Sequence, residues 1–170
     1  DDFNNDGNLD MISSAWGLDD PMHYFKNNGD GTFKEDLEGS ARHISAASMG
    51  ADMADINNDG WMDLVTMDMK ANDERINKSS VGADPYNIFQ AKLNYGYHFQ
   101  YPRNMLQLNR GIVPGQQNPG FSEIGQLAGI SNTDWSWSAL LADYDNDGWK
   151  DLFITNGYLR DITDKDFIDY

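Results

Sequence analysis

The sequence lacks cysteine entirely, so disulfides give no indication of the cellular compartment. Basic residues are also scarce: 12 Lys and Arg stand against 28 Asp and Glu, and the formal net charge is −16. Nucleic acids and anionic membrane surfaces are bound through basic patches, so neither is expected as a partner. No apolar run approaches the ~20 residues of a membrane-spanning helix, so no transmembrane segment is predicted.

Many of the carboxylates lie in three nine-residue segments that align without gaps, at residues 2–10, 55–63 and 143–151. Each reads Asp-x-Asn/Asp-x-Asp-Gly-x-x-Asp, and each is followed by an apolar, β-prone stretch. We call these segments loops 1, 2 and 3 and number their positions 1 to 9. A motif that recurs in this way indicates a repeat rather than three unrelated acidic turns.

A second landmark recurs between the loops. Residues 24–33 and 106–121 each contain an apolar strand, an Asn/Gly turn and a second strand opened by Phe, which predicts a hairpin. Phe33 precedes loop 2, and Phe121 precedes loop 3, by the same 22 positions. One unit therefore reads strand, acidic loop, strand, connection, strand, Asn/Gly turn, strand.

Four short antiparallel strands in ~50 residues have the size of a propeller blade, which must stack on other blades to bury its faces. The predicted fold is all-β: a partial β-propeller of four-stranded antiparallel blades, with the acidic loops in its hairpins. About two and a half blades are expected, in units at about 1–45, 46–133 and 134–170, with an insertion at about 68–104. Closed propellers typically have 4–8 blades, and the chain starts inside its first motif, so we expect the complete protein to be longer.

The loops have the chemistry of a calcium site, because Ca²⁺ takes 6–8 oxygen ligands from carboxylates, amides and backbone carbonyls. Side chains at positions 1, 3 and 5 can converge. The position-6 glycine permits a sharp turn and is predicted to have a positive φ. Position 7 can offer its carbonyl, and position 9 returns a carboxylate. Up to three ions are predicted, one in each loop. The candidate ligands are Asp2, Asn4, Asp6, Asn8 and Asp10; Asp55, Asn57, Asp59, Trp61 and Asp63; and Asp143, Asp145, Asp147, Trp149 and Asp151.

Other interpretations of the loops are less well supported. An EF-hand needs Glu at position 12 and flanking helices, whereas position 12 is Ser13, Thr66 or Ile154 and strand formers follow. Magnesium demands stricter octahedral geometry, and zinc and copper are disfavoured without Cys or loop His. The remaining alternative is a set of metal-free Asx-rich turns. The three loops occupy equivalent places in a repeat, and this regular spacing argues against metal-free turns.

The loops, with the Asn-Asn-Gly-Asp-Gly-Thr-Phe segment at residues 27–33 between them, resemble FG-GAP/VCBS repeats. That resemblance implies a calcium-binding β-propeller like those of integrin α-chains, with ligands at positions 1, 3, 5, 7 and 9. The segment Asn156-Gly-Tyr-Leu-Arg-Asp161 looks like that of large Bacteroidetes-type VCBS-repeat proteins related to cartilage acidic protein. The family implies an exported protein that is extracellular or attached to the cell surface, associated with the outer membrane.

The insertion is the least repeat-like part of the chain. Asp84-Pro85 predicts a short helix to about Leu93, and an aromatic group follows between Tyr95 and Tyr101. Such rings suit sugars or peptides, although packing of the insertion onto its blade is the simpler interpretation. No catalytic constellation is predicted. The functional expectation is a non-catalytic binding or scaffold module that recognises a glycan or protein, including other components of an outer-membrane complex. The alternatives are a calcium-dependent polysaccharide lyase or hydrolase, and a structural spacer.

Overall fold

The computed structural model describes residues 1–14, 21–80, 84–115 and 119–158, and strands predominate among them. In chain order the strands and helices are β1 (Met11–Ser13), β2 (His23–Asn27), β3 (Phe33–Glu35), α1 (Leu37–Ser40), β4 (Ile44–Ser45), β5 (Gly50–Ala54), β6 (Asp63–Met67), β7 (Met69–Lys70), α2 (Glu74–Ser79), α3 (Tyr86–Asn94), β8 (Gln100–Tyr101), β9 (Met105–Ile112), β10 (Pro119–Glu123), β11 (Asp134–Ala142) and β12 (Asp151–Asn156). The all-β prediction is confirmed.

The central sheet has four antiparallel strands in the order β10-β9-β6-β5. Loop 2 joins β5 to β6, with Ala54 opposite Asp63, and the predicted hairpin forms β9 and β10. The connection between β6 and β9 contains the insertion, yet β9 still pairs beside β6. This sheet, which we call unit 2, therefore has the predicted order of four strands.

The two neighbouring sheets repeat parts of the same pattern. Unit 1 is the antiparallel sheet β1-β2-β3, with loop 1 immediately before β1. Unit 3 is the pair β11-β12, with loop 3 between the two strands and β7 added at the edge of β11. The architecture is a partial, propeller-like arrangement of antiparallel sheets. The unit boundaries stay predictions. Strand pairing alone does not define them, since β7 lies within the predicted second unit but pairs with β11 of the third.

Two apolar clusters lie between the sheets. The first joins unit 1 to unit 2 through Phe3, Tyr24, Leu64 and Phe121. The second joins unit 2 to unit 3 and consists of buried Val65, Met67, Leu106 and Ala139, with Leu152 and Ile154 packed against it. Successive side chains of a strand point to opposite faces, so β6 supplies Leu64 to one cluster and Val65 to the other. The apolar side chains of this fold are therefore buried between neighbouring units.

The insertion packs onto the segment that follows α1. The predicted helix is confirmed as α3, although its N-cap residue is Pro85, and Asp84 pairs with Lys92 instead. The parallel pair β4-β8 brings Tyr101 to 5.4 Å and Phe99 to 6.3 Å from the His43 ring. These rings therefore pack the insertion in place, whereas Tyr95 remains 84% exposed. Within the described ranges, no helix is both long and apolar enough to span a bilayer.

Candidate metal centres

The three loops adopt the same tight turn. Position 4 is asparagine in each, and its φ is 54° at Asn5, 57° at Asn58 and 62° at Asn146. The position-6 glycine has φ of 88°, 87° and 92° in loops 1, 2 and 3. Both angles lie in the left-handed region, which glycine adopts freely and asparagine tolerates better than most residues. The positive φ predicted at position 6 is confirmed.

The position-1 carboxylate fixes this turn by accepting two backbone hydrogen bonds. In loop 1 the N–H groups of positions 5 and 6 donate to Asp2 at 3.1 and 2.8 Å. The corresponding distances are 3.0 and 2.7 Å at Asp55, and 3.0 and 2.9 Å at Asp143. The chain of each loop is therefore wrapped around its first carboxylate.

Positions 3 and 5 continue the same frame. The side-chain oxygen of position 3 accepts from the N–H of position 5 at 3.1 Å in loop 1 and 3.2 Å in loops 2 and 3. Positions 1 and 3 thus converge on one backbone nitrogen. The carboxylate of position 5 accepts from the N–H of position 7, at 2.9 Å from Asn8 and Trp61 and 2.8 Å from Trp149. The N–H of position 7 belongs to the peptide group before that residue, whereas the predicted ligand is the carbonyl of the peptide group after it. The bond therefore orients the ligand carbonyl only indirectly.

The position-9 carboxylate closes the loop. Its Oδ2 accepts from the N–H of position 2 at 3.0 Å in loop 1, 2.9 Å in loop 2 and 3.0 Å in loop 3. In loops 1 and 2 its Oδ1 also accepts from the strand that pairs with the one after the loop. Asn27 of β2 donates to Asp10 at 2.8 Å, and Asn109 of β9 donates to Asp63 at 2.7 Å. Position 9 therefore joins the loop to its own sheet.

Loop 3 shows the convergence of ligands most directly. Oxygen atoms of Asp143, Asp145 and Asp151 all lie within 4.8 Å of one another. Two oxygens on one Ca²⁺ at 2.3–2.6 Å are at most about 5 Å apart, so this spacing fits a common ion. The donor atoms are all oxygens, as a hard cation requires. Asp147 at position 5 is not part of this group, and it is engaged with the N–H of Trp149.

The protonation equilibria of two loop carboxylates differ because their surroundings differ. Burial raises the pKa of Asp63, and the charges of Asp59 and Asp55 raise it further, against the lowering effect of its two backbone donors. The exposed Asp6 has a lowered pKa, chiefly because the backbone N–H of Asn8 donates to its carboxylate. A cation placed among the loop carboxylates would offset the repulsion and the burial that disfavour ionised Asp63.

Two sets of asparagines that organise the loops were not predicted from the sequence. Asn27 and Asn109 hold position 9 by their backbone N–H, and their side-chain amides donate to the position-8 carbonyls at 2.9 and 3.1 Å. The signal was present, because both begin an Asn-x-Gly sequence after an apolar strand. The other set is the asparagine at position 4, which recurs in all three loops although it is not a predicted ligand.

A cleft lies outside the loops, between unit 1 and the insertion. Its lining includes His23, Glu35, Asp36, Glu38 and His98. His98 Nε2 is 2.7 Å from the carbonyl oxygen of Ala41, which fixes the ring, and His23 Nδ1 is 3.8 Å from Glu35 Oε1. Three of these residues are carboxylic acids, so the cleft is acidic, in keeping with the charge of the chain.

Comparison with known families agrees with the repeat. Residues 2–66 match the model of the FG-GAP-like repeat, a segment that contains loops 1 and 2. This match confirms the predicted FG-GAP/VCBS assignment for that part of the chain. Loop 3 lies beyond the match, and it has the same turn and backbone hydrogen bonds as loops 1 and 2. No curated protein matches the chain.

Proposed function

We propose that this chain is a calcium-stabilised, non-catalytic scaffold module in which each acidic loop holds one Ca²⁺. The observation that carries the proposal is the common frame of the loops, which in loop 3 gathers the oxygens of Asp143, Asp145 and Asp151 within 4.8 Å. The side chains of positions 1, 3, 5 and 9 and the carbonyl of position 7 would supply the ligands. The ion would neutralise their charge, and three ions would change the net charge of −16 to about −10.

The stabilising effect follows from where the loops lie. Loops 2 and 3 each join two adjacent strands, and position 9 is the first residue of the second strand. An ion that binds only the folded loop stabilises the fold by mass action, by about 2.7 kcal/mol per site at a hundredfold excess over Kd. Each ion would therefore hold one hairpin, and through position 9 it would hold the sheet beneath.

Removal of calcium tests this proposal. We expect the melting temperature measured by calorimetry to fall markedly in EDTA, to recover with CaCl₂, and to recover much less with MgCl₂. Metal analysis should give up to three calcium ions per chain. Asp55→Ala should lose part of the calcium-dependent stability, whereas Glu74→Ala, which removes an exposed charge on α2, should retain it. Melting curves that coincide with and without chelator would refute the proposal.

The proposed partner is a glycan or a protein, bound by the exposed surface of the insertion. Exposed rings support this proposal, since Tyr86 is 78% and Tyr95 84% exposed, and the acidic cleft opens nearby at Gly96 and His98. Calcium sites of modest affinity suit the millimolar calcium outside cells, so we also propose an exported, surface-located protein of the large VCBS-repeat type. The alternative proposal is an enzyme on the same scaffold, a calcium-dependent polysaccharide lyase or hydrolase, for which the acidic cleft would be the candidate site.

Binding can be measured on arrays of glycans and peptides with the wild type and with the Tyr86→Ala/Tyr95→Ala double variant. We expect the double variant to lose binding while its calcium-dependent melting stays unchanged, because both rings are exposed and far from the loops in sequence. Equal binding by both proteins would show that these two rings do not form the recognition surface. Turnover of a polysaccharide by the wild type would favour the enzymatic alternative.

A further inference from the structure

The position-4 asparagines link each loop to the next one. Asn5 Nδ2 of loop 1 donates to the Gly60 carbonyl of loop 2 at 3.0 Å, across 55 residues of sequence. Asn58 Nδ2 of loop 2 donates to the Gly148 carbonyl of loop 3 at 3.1 Å, across 90 residues. The donor is at position 4 and the acceptor at position 6 in both cases. A contact repeated at equivalent positions of two different pairs of units is a feature of the repeat.

Each of these bonds leads directly to a candidate ligand. The Gly60 carbonyl accepts from Asn5, and the N–H of the same peptide group, contributed by Trp61, donates to Asp59 at 2.9 Å. In loop 3 the peptide between Gly148 and Trp149 likewise lies between Asn58 and Asp147, with the second bond at 2.8 Å. A peptide group is planar, so its two ends move together, and hydrogen bonds in series polarise one another.

We propose that the position-4 asparagine is a positioning residue that couples neighbouring loops, so that an ion in one loop strengthens binding in the adjacent loop. The proposal rests on the proposed function, which places calcium in these loops. Position 4 stands between two candidate ligands, at positions 3 and 5. An ion that orders those two ligands also fixes the asparagine between them, and the asparagine then holds the glycine peptide of the neighbouring loop. The coupling acts equally in both directions, as linkage requires.

The variants Asn5→Gly and Asn58→Gly remove the link with little strain, because glycine accepts the positive φ of position 4. Asn146→Gly is the matched control. Asn146 has the same loop position and a φ of 62°, and its side chain donates to no other residue in the described part of the chain. Any effect on the loop that carries the substitution is therefore shared by all three variants, while the effect on a neighbouring loop is confined to the first two.

The experiment is a calcium titration of the full chain by isothermal calorimetry. In the wild type, we expect each bound ion to raise the association constant of the next ion above the value for identical sites that bind independently. In Asn58→Gly and Asn5→Gly the ratio of successive constants should fall by about two- to tenfold, the range for one exposed hydrogen bond. Asn146→Gly should leave that ratio at the wild-type value. A side chain that only stabilised the fold would change the melting temperature and not the ratio.

Two results would overturn the proposal, and they differ in whether they also refute the proposed calcium sites. If the wild type binds its ions independently, and Asn58→Gly gives the same ratio as Asn146→Gly, the coupling is absent and the calcium sites stand. If the wild type binds no calcium, the coupling and the proposed function fall together.

Discussion

Strands β6 and β12 follow loops of the same pattern, yet they differ in burial. All five residues of β6 are buried, whereas none of the six residues of β12 is. The sequences do not explain this difference, since Asp-Leu-Phe-Ile-Thr in β12 is at least as apolar as Asp-Leu-Val-Thr-Met in β6. The surroundings explain it, because β6 has a sheet on each side and β12 has one, in unit 2, among the described residues.

The two faces of the repeat can be identified residue by residue. Leu64 and Leu152 occupy equivalent positions, and each packs against the unit before its own. Val65 is buried toward unit 3, while its equivalent Phe153 is 56% exposed. At the other end Met11, the equivalent of Leu64, is 47% exposed. A unit of this kind buries its apolar residues only through its neighbours, as expected for stacked repeats.

The largest expected effect comes from a charge placed at buried Val65, and the equivalent substitution of exposed Phe153 is the comparison. Val65→Asp would bury an unpaired carboxylate in the second cluster, so we expect a loss of more than about 4 kcal/mol in the free energy of unfolding. Phe153→Asp should cost about 1 kcal/mol or less, because its ring is half exposed. Urea unfolding followed by circular dichroism gives both values. Similar losses would show that the two strands are equally enclosed.

The position-9 carboxylates give a second, smaller contrast. Asp63 is fully buried and accepts from Ile56 and Asn109, whereas Asp151 is exposed and accepts from Tyr144 in the described structure. Asp63→Ala leaves two N–H groups without acceptors, so we expect a cost of about 3 kcal/mol, against about 1 kcal/mol for Asp151→Ala.

Both variants are to be unfolded in EDTA, so that loss of an ion does not contribute to the difference. Equal costs would mean that the bond from Asn109 adds nothing to stability, and that position 9 acts only within its own loop.

Local features of this molecule could be predicted from the sequence. The apolar stretch after each loop predicts β6 and β12, and the glycine at position 6 predicts a positive φ, because both depend on residues adjacent in the chain. The Asn/Gly turn at residues 27–31 predicts the hairpin of β2 and β3 for the same reason. The list of candidate ligands is likewise local, since each loop has only nine residues.

Features that depend on distant partners could not be predicted. The bond from Asn109 to Asp63 spans 46 residues, and the bond from Asn58 to Gly148 spans 90. Buried Asp68 accepts from Ser45 and from two backbone N–H groups near it, a role that one acidic residue after a strand does not reveal. Which of two equivalent apolar residues is buried depends on the neighbouring units, and the local sequence does not indicate where those units lie.

The smallest expected effect compares the two tryptophans at position 7. The Trp61 ring lies against Gly111 on the third strand of unit 2, where a Cβ on that glycine would be 2.6 Å from the ring. Trp149 is 53% exposed. We expect Trp61→Ala to cost about 2 kcal/mol, less than a fully buried tryptophan, and Trp149→Ala to cost under about 1 kcal/mol. Both residues offer the same backbone carbonyl to their loop, so neither substitution should change the number of calcium ions bound. Trp61→Ala with a cost no greater than that of Trp149→Ala would mean that the ring on Gly111 contributes no stability.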